Sequence, residues 1–130
     1  MEIKVVNIKE KFELIKEFWS PHIAGEFNEN YIKFAKIKGE FIWYHHKDED
    51  EMFLVIKGKF DMHLKTEKFG KTVENILTIN EGEFIVIPKG VEHKPVAKEE
   101  VHLLLIEPKT TINTGNEKNS KLTKTNLKTI

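Results

Sequence analysis

The stretch GEFIVIPKGVEH, residues 82–93, decides the fold more than any other part of the chain. It places five residues between Gly82 and Pro88, one residue between Pro88 and Gly90, and two more before His93. The apolar run predicts a β-strand, and the proline and glycine predict a tight turn after it. The pattern therefore predicts a turn that directs the imidazole of His93 back towards the interior of a β-structure.

A second segment with polar ligand-type side chains precedes this one by about forty residues. It reads YHHKDEDEMFLVIKG, residues 44–58, and six residues separate Glu51 from Gly58. In a strand, residues i and i+2 face the same side, so a pair at that spacing presents two side chains together. A carboxylate from the next strand can join such a pair after a short loop.

Together the two segments resemble the cupin family. Its first motif has the form G, a few residues, H-x-H, three or four residues, E, six residues, G, and its second is G, five residues, P-x-G, two residues, H. The second motif is complete here, and the resemblance covers roughly residues 31–108, with a looser match to the helix before and the TINTGN segment after. The chain looks most like small one-domain cupins related to mannose-6-phosphate isomerase.

The first motif departs from the family pattern. Four residues separate Glu51 from His46, which makes His46 the second histidine of the pair, and the first position is then Tyr44. The other register pairs His45 with Lys47, whose ammonium group would repel a cation. We prefer the Tyr44/His46 register, with His45 on the outer face.

The resemblance implies a metal site made of His46, Glu51, His93 and Tyr44. Its cofactor would be a divalent transition metal such as Zn, Mn, Fe or Ni, for which imidazole and carboxylate ligands are suitable. Tyr44 would be either a phenolate ligand or a hydrogen-bonding neighbour, and Tyr44 or Glu51 could shuttle protons in catalysis. In the alternative interpretation His46 and His93 are polar groups in a water-filled cavity, hydrogen-bonded to Glu51.

Alternation along the strands extends the predicted pocket. Phe53 and Val55 share the face of Glu51, so we expect them to line the pocket floor. His102 begins the strand HLLLI and is a further candidate at the mouth of the barrel.

The rest of the chain fits one small all-β domain. Residues 7–19 have helical periodicity with Asn7 as the N-cap, and from Tyr31 the period changes to two. Turn signals about every ten residues predict an antiparallel sandwich or barrel, including a hairpin about Lys57 and Gly58. We therefore predict a single cupin-type antiparallel barrel (a double-stranded β-helix, or jelly roll) over 1–130. It would comprise a short helix and loop in 1–30, the barrel in 31–108 and a polar tail or arm in 109–130.

Composition excludes several classes of function. The 130 residues carry 21 basic and 21 acidic side chains, which argues against a protein built to bind nucleic acid or an anionic membrane surface. The chain has no cysteine, so disulfides and thiolate metal sites are excluded. No apolar run approaches the roughly 20 residues of a membrane span, and the charged N-terminus does not resemble a signal peptide. The expectation is a cytoplasmic protein.

Three functions fit these observations. The first is a metal-dependent enzyme acting on a small polar metabolite, of the sugar isomerase or epimerase kind, with an iron dioxygenase as a related possibility. The second is a non-catalytic domain that binds or senses a small molecule without metal. The third is a structural dimer with a vestigial pocket. Several strands are apolar on both faces, so in each case we expect a homodimer that covers the outer sheet.

Overall fold

The computed structural model describes residues 2–130 and confirms an all-β fold with one short helix. The seven strands of residues 2–130 pair with one another in antiparallel fashion throughout. In chain order the elements are α1 (Ile8–Glu13), β1 (His22–Phe27), β2 (Asn30–Glu40), β3 (Glu51–Lys57), β4 (Lys59–Lys68), β5 (Lys71–Asn80), β6 (Phe84–Ile87) and β7 (Glu92–Pro108).

The long strand β7 joins the two halves of the structure. Its second half lies between β2 and β3 in the order β1-β2-β7-β3-β6, and its first half pairs with β4, which also pairs with β5. The register against β2 shifts between these halves, because Val101 pairs with Ile37 whereas Ala97 pairs with Gly39. Such a bulge bends a strand, and here it lets one strand belong to both halves.

The inner faces of the strands enclose one hydrophobic core. Alternation assigns each residue its side, and in β3 the buried positions are Glu51, Phe53 and Val55. The buried apolar residues of the core are Ala35, Ile37, Phe53, Val55, Phe60, Met62, Leu64, Ile79, Ile87, Ala97, Val101, Leu103 and Leu105. Glu51 therefore begins a strand whose other inward side chains are apolar.

The predicted hairpin about Lys57 and Gly58 is wrong. β3 pairs with β6 and with the second half of β7, whereas β4 pairs with β5 and with the first half of β7. Gly58, with φ +89°, is the corner between β3, which lies in the half of the sheet with β6, and β4, which lies in the half with β5. A glycine between two strand patterns indicates a change of direction, but the strand partners are set by contacts far along the chain.

The N-terminal region differs from the prediction in two ways. Asn7 does cap α1, since its Oδ1 accepts a hydrogen bond from the amide of Glu10 at 2.9 Å, but the helix ends at Glu13 instead of continuing to Trp19. Strand β1 then forms in the region predicted as a loop. Among residues 2–130 no helix is long and apolar enough to cross a membrane.

Residues 109–130 lie against the barrel in the structure. The amide of Asn116 donates to the carbonyl of His45 at 3.0 Å, and the amide of His45 donates to the side chain of Asn116 at 2.8 Å. Further along, the amide of Ile130 donates to the carbonyl of Ile23 at 2.9 Å, so the end of this segment pairs with β1. Hydrogen bonds to the backbone therefore hold a segment that has few apolar residues.

Gly115 is the tightest point of this docking. Its φ is +55°, and a Cβ atom there would overlap the carbonyl of His45 and reach 3.0 Å from the Tyr44 ring. We expect Gly115→Ala to release residues 109–130, with faster amide exchange throughout that segment in hydrogen-exchange mass spectrometry. The matched control is Gly70→Ala, which also changes a glycine of positive φ (+74°) but has nothing within 4 Å of the added Cβ. Equal exchange in the two variants would contradict this docking.

Candidate functional site

Two short backbone segments meet at the centre of the site. Tyr44 and His93 form an antiparallel bridge through reciprocal N–H···O hydrogen bonds of 3.0 and 2.9 Å, and their rings lie 4.2 Å apart. His46, two positions after Tyr44, is also buried. His45 points outwards, and its Nδ1 lies 2.6 Å from Oε1 of Glu92. The structure thus follows the Tyr44/His46 register.

Glu51 is the common partner of these side chains. The hydroxyl of Tyr44 lies 3.2 Å from both carboxylate oxygens, Nε2 of His46 lies 2.7 Å from Oε2, and Nε2 of His93 lies 3.2 Å from the same Oε2. Glu51 is only 2% exposed. A buried carboxylate is tolerated when such groups satisfy it, so these three side chains hold the charge of Glu51 inside the barrel.

The tautomer of His93 follows from its other hydrogen bond. Nδ1 lies 2.9 Å from the carbonyl oxygen of Val91, which can only accept, so Nδ1 carries the proton. In the neutral ring Nε2 then carries a lone pair, which faces a carboxylate oxygen of Glu51. Two lone pairs at this distance repel unless a positive charge lies between them, so the arrangement favours a proton or a metal cation there.

The site keeps Glu51 ionised and Tyr44 neutral. Burial raises the pKa of Glu51, but the contacts with the imidazoles of His46 and His93 outweigh burial and lower that pKa to about 2. Burial opposes the charged form of His46 as well, yet its hydrogen bond with Glu51 raises the pKa of His46 above the usual value. Burial and the nearby charge of Glu51 raise the pKa of Tyr44 well above 10. Without a metal, these directions make Tyr44 a hydrogen-bond donor and Glu51 a weak proton acceptor.

Glu107 is a site residue that the sequence prediction missed. It lies near the end of β7, is 2% exposed, and offers a ligand atom within 4.8 Å of those of His46 and Glu51. Burial and the charge of Glu51 raise the pKa of Glu107 to about 7, although the ammonium of Lys33 opposes this. Nζ of Lys33 lies 3.7 Å from Oε1 of Glu107. The sequence signal for Glu107 is its position, because it is a charged residue on the inward face of an otherwise apolar strand.

A small cavity of about 40 Å³ adjoins these groups. Most of its lining is apolar, and Glu51, Glu107, Tyr44 and Asn113 supply the polar atoms. Asn113 comes from the docked segment 109–130. The lining residues are Trp19, Pro21, Ala35, Ile37, Phe41, Tyr44, Glu51, Phe53, Pro95, Leu103, Leu105, Glu107 and Asn113.

The three predicted pocket residues lie in different places. Phe53 lines the cavity, whereas Val55 lies deeper in the hydrophobic core. His102 lies outside the site, because its ring stacks on Phe12 of α1 at 4.5 Å and its Nε2 lies 2.7 Å from Glu100. Alternation explains this position, since the neighbours of His102 on β7, Val101 and Leu103, take the inward face.

The raised pKa of Glu107 predicts a pH-dependent stability for protein treated with a chelator. A carboxyl with pKa about 7 in the folded chain and 4.5 when unfolded stabilises the fold fully below pH 4.5, and this contribution is lost as the pH rises through 7. Between pH 5 and 8 we expect the wild type to lose up to about 3 kcal/mol of unfolding free energy relative to Glu107→Gln in urea titrations. Glu92→Gln, which removes a half-buried carboxylate outside the site, should follow the wild type. Parallel profiles for wild type and Glu107→Gln would contradict the raised pKa.

Comparison with known proteins gives the family. Residues 32–107 match a family model described as Cupin domain. A cupin-2 domain containing protein from Shewanella frigidimarina NCIMB 400, known from its crystal structure, is 41% identical, with 81% of this chain and 95% of that chain covered and a TM-score of 0.72. The uncharacterized protein YdbB of Bacillus subtilis (strain 168) is 29% identical over 91 residues, which are 70% of this chain and 74% of that protein.

More distant structures share the fold alone. Hydroquinone 1,2-dioxygenase from Sphingomonas sp. TTNP3, solved with 4-hydroxybenzoate bound, is 16% identical, with 85% of this chain and 82% of that chain covered and a TM-score of 0.65. The family model spans more than half of the 130 residues, and the Shewanella protein adds close similarity over most of the chain. The chain therefore belongs to the cupin domain family.

Proposed function

We propose that this chain binds one divalent transition metal through His46, Glu51 and His93 and holds a small, mostly apolar ligand in the adjoining cavity. The observation that carries this proposal is the convergence of two imidazole nitrogens on one oxygen of Glu51, at 2.7 and 3.2 Å, in a buried site. The inferred tautomer of His93 supports it, because the lone pair of Nε2 faces the same point.

The residues fit a metal of the predicted kind. Two imidazoles and one carboxylate are donors for Fe, Zn, Mn or Ni, and this combination is typical of non-haem iron oxygenases. When bound, such a cation would act as a Lewis acid and orient the ligand. Tyr44 would hold Glu51 in position through its hydroxyl hydrogen, and the apolar lining would exclude water from the ligand.

The lining of the cavity favours an aromatic or phenolic ligand over a sugar phosphate. Within residues 2–130, none of the side chains that line this cavity is basic, so a phosphate group finds no cation there. The distant hydroquinone dioxygenase was solved with 4-hydroxybenzoate, which makes a phenol the natural first probe. The cavity of about 40 Å³ is smaller than the roughly 150 Å³ that accommodates benzene, so a ring could enter only if lining side chains move apart.

Two other readings remain as alternatives. Sugar isomerisation or epimerisation, implied by the sequence resemblance, requires a proton shuttle, and the lowered pKa of Glu51 and raised pKa of Tyr44 make both residues weak candidates. Metal-free binding of a small molecule is favoured by one observation, namely that Tyr44, His46 and His93 already satisfy Glu51.

Metal content tests the proposal directly. After incubation with Zn, Mn, Fe and Ni and removal of excess metal, mass spectrometry of the elements should find about one transition metal per chain in the wild type. His93→Ala should lose this metal because it removes a ligand. His102→Ala, which removes a histidine outside the site, should keep it. No metal in the wild type would overturn the proposal in favour of metal-free binding.

The metal-loaded protein then separates the ligand classes. A phenol such as 4-hydroxybenzoate should raise the midpoint of thermal unfolding, and mannose 6-phosphate should leave it unchanged. The opposite pattern would favour the isomerase reading.

We also propose that two copies associate through the outer face of the sheet. Helix α1 covers this face around Phe34, whereas Phe84, Val86 and Ile106 remain 66%, 48% and 38% exposed. These three residues are neighbours, because Met52 of β3 pairs with both Val86 and Ile106. An exposed apolar patch of this kind is typical of an interface.

Light scattering tests this association. The wild type should have twice the mass of one chain. Phe84→Glu should reduce the measured mass to that of one chain, because a carboxylate would be buried at the contact. Phe69→Glu is the control, since Phe69 is 94% exposed at the turn between β4 and β5, away from this face. A wild type of single-chain mass would exclude the dimer.

A further inference from the structure

Glu107 and Lys33 form a buried pair that the three proposed ligands do not explain. The two side chains are 2% and 1% exposed, and Nζ of Lys33 lies 3.7 Å from Oε1 of Glu107. Lys33 faces inwards because it alternates with the buried residues Ala35 and Ile37 on β2. Removing both charges from water is costly, and a pair of apolar residues would fill the same space without that cost.

The second oxygen of Glu107 has no partner of its own. Among the residues that the structure describes, Oε2 of Glu107 is buried and accepts no hydrogen bond. Buried polar atoms are nearly always satisfied, and an exception calls for an explanation such as a bound ion. Lys33 lies on the Oε1 side, so Oε2 is available for another group.

The position of Glu107 identifies that group. A carboxylate oxygen of Glu107, one of Glu51 and a ring nitrogen of His46 all lie within 4.8 Å of one another. Met52 of β3 pairs with Ile106 of β7, which brings Glu51 and Glu107 side by side on the inner face. Three ligand-type atoms from different segments therefore surround one point inside the barrel.

We propose that Glu107 is a ligand of the metal and supplies the fourth donor that Tyr44, in place of histidine, does not provide. Lys33 is the counter-charge that allows two carboxylates to lie side by side when the metal is absent. Exchange of an imidazole for a carboxylate favours harder cations, so Mn²⁺ and Fe²⁺ gain relative to Zn²⁺. This inference rests on the proposed function, because it presupposes that the site binds a metal.

Calorimetric titration of chelator-treated protein with MnCl₂ tests the assignment. Glu107→Gln keeps the shape of the side chain and removes its charge, and we expect it to weaken Mn²⁺ binding at least about tenfold, the loss typical even of groups that only support a ligand. Glu92→Gln removes a carboxylate whose partner is the outward-facing His45, and it should bind like the wild type. Tyr44→His in the Glu107→Gln background should restore binding, because it returns an imidazole to the site.

Thermal unfolding with and without Mn²⁺ tests the role of Lys33. Lys33→Met should unfold at a lower temperature than the wild type without metal, because Glu107 and Glu51 then repel each other. Added Mn²⁺ should raise its unfolding temperature by more than it raises that of the wild type. If Lys33→Met fails to fold, the double variant Lys33→Met/Glu107→Gln removes the pair together and should fold with weakened Mn²⁺ binding.

The outcomes separate the two proposals. Wild-type binding together with a loss of less than twofold in Glu107→Gln would overturn the role of Glu107 and leave the metal site of His46, Glu51 and His93 intact. Absence of binding in the wild type, for Mn²⁺ and for the other metals alike, would overturn the proposed function and this inference with it.

Discussion

The buried carboxylate of Glu51 is the interaction on which the rest of the site depends. Its charge is stable inside the barrel only because Tyr44, His46 and His93 surround it, and these come from two segments far apart in the chain. Backbone contacts reinforce the same arrangement, since the amide of Gly90 donates to the carbonyl of His46 at 2.7 Å. The contacts that hold these loops together are therefore the same contacts that build the site.

The parts of the site that the sequence predicts are those encoded locally. The P-x-G turn and the six-residue spacing after Glu51 are short-range patterns, and they lead to His93 and Glu51 without knowledge of strand pairing. Glu107 could not be found in this way, because it lies on β7 and no motif surrounds it. Only the alternation of inward and outward residues along β7 indicates its position. Val101, Leu103 and Leu105 are buried, so the same face must include Glu107 and exclude His102.

The errors in the fold have a common physical cause. Inner-face packing between distant segments determines the strand partners, so Gly58 could not reveal that β3 and β4 pair with different halves of β7. Residues 109–130 have a composition that fits both a tail and an arm, and much of their structure depends on polar contacts. Thr114 is fully buried and bonds to the carbonyl of Glu117 and the hydroxyl of Thr123. A polar segment that folds by hydrogen bonding has the composition of a solvated one.

The pairing of the last residues with β1 has a consequence for how the sheet can grow. In the order β1-β2-β7-β3-β6, residues 128–130 already occupy the outer side of β1 near Ile23. An unpaired edge strand is a template for a further chain, and a sheet open at both edges can extend without limit. With β1 covered near Ile23, the strands that residues 2–130 leave with one open edge are β5 and β6. A further chain can therefore add to the sheet beside β5 or β6, whereas residues 128–130 block such growth beside β1 at Ile23.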